Sequence, residues 1–143
     1  MVAYRSDPLA IAAAVAPGVV PVLFDWESFS LADVLRALDG ALSPQQPRGG
    51  LASLGLLSMG KPGTINIVQC SRTSLWGLQR PDLREFWVAL AAHVRGPGAA
   101  GGGGTLHLLG DALEGDADGE AMASYIQGVR IIKGDPRVAF CDI

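Results

Sequence analysis

Apolar and polar residues follow two periods along this chain, and the switches between them mark a series of short elements. Val2-Ala3-Tyr4 fits a short first strand. Asp7 with Pro8 is an N-cap followed by proline in the first helical position. It opens a helix over about Pro8–Val15, which Pro17-Gly18 stops. Val19 to Phe24 is a continuous apolar run and predicts a buried strand. Ser30 caps a helix over Leu31–Leu42 whose apolar face is Leu31, Val34, Leu35 and Leu38, with Asp33 completing a capping box. Ser43 to Gly50 is a loop. Leu51 to Leu57 predicts a second buried strand, ending at Ser58-Met59-Gly60, with a turn at Lys61-Pro62-Gly63. Thr64 to Val68 alternates as a half-buried strand, one arm of a small hairpin. Pro81 and Asp82 start the clearest helix, with Leu83, Phe86, Trp87, Leu90, Ala91 and Val94 on one face. Gly96 to Gly104 is a low-complexity connection. Thr105 to Leu109 predicts a strand, Gly119 to Gly128 a helix with Met122, Tyr125 and Ile126 inward, and Val138 to Cys141 a closing strand.

Strands alternating with helices imply βαβ units and a mostly parallel sheet covered on both faces. In such folds the site lies beyond the carboxyl ends of the strands. Two strand ends are therefore informative: Ser58-Met59-Gly60 and Gly110-Asp111.

The chain has 143 residues, enough for one domain spanning 1–143 with its own core. Charged residues make up 17% and hydrophobic ones 49%, a balance that excludes a wholly disordered chain. The net charge of −3 excludes the basic surface that nucleic-acid binding uses. The acidity is concentrated, because residues 111–143 hold seven acidic and three basic residues. Cys70 and Cys141 are the only cysteines, so no disulfide framework is implied and both read as free thiols. The first residues lack a basic segment before their apolar run, and no stretch has the length of a membrane span. The expectation is a soluble, cytoplasmic protein with no membrane contact, or one piece of a larger assembly.

The two strand ends, in their order, resemble those of a known family. The whole chain resembles the caspase-like domain of unknown function that opens many very large bacterial repeat-containing surface proteins, a relative of the caspase/gingipain-type cysteine peptidases. In that family one strand ends in Ser-His-Gly before a turn and a hairpin. A later strand ends in Tyr-Gly-Cys before an acidic stretch and a helix. Here the first motif stands as Leu56-Leu57-Ser58-Met59-Gly60-Lys61-Pro62-Gly63, and the second as Leu109-Gly110-Asp111-Ala112-Leu113-Glu114-Gly115. The resemblance implies a three-layer α/β sandwich with a mostly parallel central sheet and a small β-hairpin. It also implies that Met59 stands where the family keeps its catalytic histidine and Asp111 where it keeps the nucleophilic cysteine. A cysteine peptidase needs a thiolate and an imidazole that activates it and protonates the leaving amine. A thioether neither takes nor gives a proton, and a carboxylate is a poor nucleophile toward an amide. The resemblance thus implies a pseudo-peptidase.

His107 within a strand reads as a core histidine, and His93 near a helix end suits the helix dipole. Cys70 reads as a small buried or edge-strand residue. Asp111, Glu114, Asp116 and Asp118 form an acidic set that suits a helix start. The alternative is a divalent cation, because Glu114-x-Asp116-x-Asp118-Gly119 has the early spacing of a calcium loop. That loop fails at its twelfth position, which is Tyr125. No cofactor is implied: the glycine run lacks the Gly-Lys-Ser/Thr of a phosphate loop, and no cysteine/histidine cluster has zinc spacing. Trp87 belongs to a core face. Trp26 and Trp76 fall in predicted loops, and Trp76 stands between Arg72 and Arg80, so these four residues are the partner-contact candidates.

The leading expectation is a non-catalytic caspase-like domain acting as a protein-interaction or assembly module. The alternatives are a hydrolase with a relocated, metal-assisted site around Asp111, drawing on His107 or the acidic set, and a small-ligand-binding α/β domain.

Overall fold

The computed structural model describes residues 8–43, 50–57, 64–74, 76–96, 98–99, 102–109, 121 and 138–141. Within them the elements run α1 (Pro8–Ala14), α2 (Leu31–Leu42), β1 (Ser53–Leu57), β2 (Thr64–Asn66), β3 (Arg72–Ser74), α3 (Pro81–Ala92), β4 (Thr105–Leu109) and β5 (Val138–Cys141), with a 3-10 turn at Gly77–Gln79 before α3. The chain is a mixed α/β protein. Strands β1, β4 and β5 form a parallel sheet in the order β1-β4-β5, and β2 and β3 pair as an antiparallel hairpin. The expected first strand at residues 2–4 and the expected helix at 119–128 lie outside the described residues, apart from the helical Ala121.

Helix α2 begins where the capping box predicts. The Ser30 Oγ accepts from the Asp33 N–H at 3.2 Å, and an Asp33 carboxylate oxygen accepts from the Ser30 N–H at 2.8 Å. Two donors that the first turn would leave unpaired are thereby satisfied. Arg36, one turn on, forms an ion pair with Asp33. Val34 and Leu38 are buried and Leu31 and Leu35 pack partly against the core, as the spacing predicts. Helix α3 begins with Pro81 in its first turn and buries Leu83, Phe86, Trp87 and Leu90.

The core gathers Val34 and Leu38 of α2, Phe86, Trp87 and Leu90 of α3, Ile65, Ile67 and Val68 of the hairpin, and Leu56, Leu106 and Leu108 of the sheet. The sheet contributes even-numbered residues because successive strand side chains point to opposite faces. On the other face Ser53, Gly55 and Leu57 are exposed, so β1 is buried on alternate positions and not throughout as its continuous apolar sequence predicts. Phe86 and Trp87 meet edge to face, with ring centroids 5.5 Å apart. The Trp87 indole N–H donates to the Thr73 hydroxyl at 3.3 Å, joining α3 to the hairpin inside the core.

The largest departure from the sequence pattern is Val19–Phe24. The structure leaves it outside any strand, with Val19 54%, Val20 42% and Leu23 48% exposed, while Val22 and Phe24 pack partly against the core. Pro21 in the middle of the run has no N–H to give to a ladder, which disfavours an interior strand.

The glycine-rich connection ends in a tight crossing. Gly104 is buried, and a Cβ there would lie 2.6 Å from Val94 Cγ1 and closer still to the Leu51 carbonyl oxygen. The Leu51 N–H donates to the His93 carbonyl and the Arg95 N–H to the Leu51 carbonyl, each at 2.8 Å, and the Gly104 N–H donates to the Arg95 carbonyl at 2.9 Å. Three backbone segments thus meet beside the start of β1, and the last glycine of the run is there because no side chain fits between them.

Candidate functional site

The two strand ends singled out from the sequence are neighbours. Leu57, the last residue of β1, pairs in register with Leu109, the last residue of β4. Met59 and Asp111 each follow two residues later in the chain and lie outside the described residues, as do Glu114, Asp116 and Asp118. No group of three or more histidine, cysteine, aspartate or glutamate side chains is placed to hold a metal ion among the described residues. His107 on β4 is half-buried, in register with Gly55 on one side and Ala139 on the other. His93 Nε2 lies 3.5 Å from an Asp39 carboxylate oxygen, bringing the end of α3 to α2.

The described candidate surface is the link from the hairpin to α3. Strand β3 ends at Ser74, whose Oγ accepts from the Gly77 N–H at 3.0 Å. The Gln79 N–H donates to the Trp76 carbonyl at 3.2 Å and the Arg80 N–H to the Gly77 carbonyl at 2.9 Å, closing the 3-10 turn. Gly77 is required, because a Cβ there would stand 2.9 Å from the Arg72 carbonyl oxygen. Leu78 is fully buried and pins the turn to the core. Trp76, two residues before it, is turned out to 78% exposure, the highest among the exposed large apolar side chains described.

The charges beside Trp76 differ in their commitments. The Arg80 guanidinium donates twice to Asp82, at 3.2 and 2.6 Å, a bidentate pair at the start of α3. Its hydrogen bonds are the main reason the Asp82 carboxyl is held below the usual carboxylate range. Arg72 is exposed and has no side-chain partner among the described residues. Of the two arginines that flank Trp76 in the chain, Arg80 is thus paired locally, and Arg72 is unpaired among the described residues.

Trp26 does not share the exposure expected of a loop tryptophan. It is half-buried in the turn after Asp25, its carbonyl accepts from the Gln69 N–H at 2.9 Å, and its indole Nε1 is buried without a hydrogen-bond partner among the described residues. The turn is built by the Asp25 carboxylate, which accepts from the Glu27 N–H at 3.0 Å and the Ser28 hydroxyl at 2.6 Å. The Ser28 hydroxyl contributes most to lowering the Asp25 pKa. Trp26 is thus a tether between this turn and the hairpin. Cys70 stands at the exposed tip of that hairpin with a φ of 65°, neither buried nor on an edge strand. The Ser71 N–H donates to the Val68 carbonyl at 3.1 Å, closing a turn whose third residue needs that left-handed backbone.

One feature escapes the sequence patterns. The outer side of α3 borders an open groove of about 510 Å³ lined by Arg84, Glu85, Val88 and Ala89 among others. Its residues carry no spacing distinct from that of a solvated helix face.

No family model, curated protein or solved structure matches the chain. No helix among the described residues is long and apolar enough to cross a membrane.

Proposed function

We propose that this chain is a non-catalytic, caspase-like domain, a three-layer sandwich in plan, that works as a protein-interaction or assembly module. The observation that carries the interaction reading is Trp76. Its indole is 78% exposed on a turn pinned by the buried Leu78 and by the Ser74–Gly77 hydrogen bond. A large aromatic side chain on an ordered turn loses little freedom on binding, and tryptophan and arginine are the residue types that dominate interface energetics. Arg72, four residues earlier in the chain, is exposed and has no side-chain partner among the described residues. The fitting partner is a protein with an apolar recess for the indole and a carboxylate for Arg72.

The pseudo-peptidase part rests on chemistry at two positions. Met59 and Asp111 follow strand ends that are paired Leu57 to Leu109. Neither side chain can serve as the imidazole or the thiolate of a cysteine peptidase dyad. The acidic segment that begins at Asp111 forms the rim of that edge in this reading.

Affinity purification from the native source, with quantitative identification of bound proteins, tests the interaction. The wild-type chain is expected to retain a partner that the Trp76→Ala and Arg72→Glu variants lose. Loss of a buried tryptophan anchor weakens an interface by about 2–4 kcal/mol, roughly 30-fold or more. A chain that purifies alone, or a partner held equally by both variants, removes this reading.

A further inference from the structure

Among the described residues, strand β1 is one of the two outer strands of the parallel sheet, the other being β5. In a parallel ladder alternate residues bond to opposite neighbours. The Thr105 N–H donates to the Ala52 carbonyl at 3.0 Å, so residues 52, 54 and 56 face β4 and odd-numbered residues face outward. Leu51 obeys this rule, because its N–H and carbonyl bond to His93 and Arg95 on the far side. Beyond Leu51 that edge is open among the described residues. Ser53, Gly55 and Leu57 are exposed and have no backbone partner on the outer side among the described residues. Its sequence, Ser-Leu-Gly-Leu-Leu, has none of the lysine, proline or inward charge with which edge strands are ordinarily protected from pairing.

A second, independent observation is the run Val19–Phe24. It forms no helix or strand, and residues 20–24 make no backbone hydrogen bond to a described residue. It is rich in β-branched residues and exposes Val19, Val20 and Leu23. Pro21 excludes it from the middle of a sheet and suits it to an outermost position. With the backbone of residues 20, 22 and 24 turned toward a neighbouring strand, the missing N–H of Pro21 faces solvent and no ladder bond is lost.

We propose that the outer edge of β1 accepts the Val19–Phe24 run of a second copy as an added strand, and that two copies do this reciprocally. In its own chain the run is followed two residues on by the Trp26–Gln69 hydrogen bond, while Val22 and Phe24 pack partly against the core. That leaves the backbone of the run, and not its inward side chains, for a neighbour. Each copy carries one β1 edge and one Val19–Phe24 run, so a two-fold axis pairs both and closes the assembly.

Sedimentation equilibrium of the full chain up to about 1 mM tests the proposal, together with Leu57→Lys on the edge and Val20→Lys on the run. Both positions are exposed, and circular dichroism confirms that each variant is folded. The wild type is expected to dimerise, and each variant to weaken association about tenfold or more. An equimolar mixture of the two variants is expected to associate more strongly than either alone, because the intact run of one meets the intact edge of the other. Hydrogen exchange of the wild type supplies a readout that needs no variant: the amides of Ser53, Gly55, Leu57, Val20, Val22 and Phe24 become protected as concentration rises. A wild type that stays monomeric overturns the proposal. So does a dimer indifferent to either lysine, or one with those amides unprotected.

Discussion

At the scale of single residues, position 104 shows how a side chain can matter by being absent. The glycine run from 101 to 104 looks like an unstructured connection, yet its last residue is enclosed by Leu51 and Val94. Gly104→Ala should destabilise the chain by at least about 2 kcal/mol, because the new Cβ meets backbone as well as a branched side chain and cannot be absorbed by a rotamer change. Chemical denaturation reads this directly. Gly102→Ser in the same run is a poor control because of its φ of +86°, whereas Gly98→Ala faces open space with an ordinary backbone and should cost far less. Thr73 and Trp87 give the opposite lesson. Both are legible as strand and helix-face residues, but their buried hydrogen bond is set by how the hairpin lies across α3. The exposure of Trp76 and the shielding of Trp26 are equally undecided by local sequence, since both tryptophans stand in turns.

At the scale of elements, capping makes the sharpest forecast. The Ser30–Asp33 box predicts where α2 starts, and the structure begins the helix at Leu31. Ser30→Ala should cost about 1 kcal/mol in a denaturation experiment. The Asp33 carboxyl is held below its ordinary range chiefly by the Ser30 hydroxyl, then by the Ser30 N–H, and Asp82 is likewise lowered by Arg80. A carboxyl with a depressed folded-state pKa favours the folded form once pH exceeds its unfolded value. That contribution fades as pH falls toward the folded value. Acid titration from about pH 5 downward should therefore show wild type losing stability more steeply than Asp33→Asn. Equal slopes would mean that the box does not titrate with folding. The run Val19–Phe24 shows where element reading fails. Its apolar continuity outweighs Pro21 in a pattern count, but a ladder needs every interior donor, and the run pairs with no strand among the described residues.

At the scale of the whole molecule, the pairing of Leu57 with Leu109 brings two distant strand ends together. The caspase-like reading requires Met59 and Asp111 to follow as neighbours. Cysteines introduced as Met59→Cys and Asp111→Cys, with Cys70 and Cys141 replaced by alanine, should cross-link under mild oxidation, since a disulfide needs Cα atoms within about 7 Å. Failure to cross-link in a folded variant counts against that frame. The sequence by itself determined the alternation of short helices and strands, the start of α2, the core face of α3 and the hairpin at Thr64, because periodicity, capping and turn chemistry act over a few neighbouring residues. It also determined that residues 59 and 111 cannot supply a thiol–imidazole dyad, which is a matter of functional groups alone. Only the tertiary structure decided the order β1-β4-β5, which face of β1 is covered, that Ser53–Leu57 pairs on one side alone among the described residues, and which tryptophan faces outward. Those features depend on contacts between residues far apart in the chain, and no local period records which surfaces such contacts will cover.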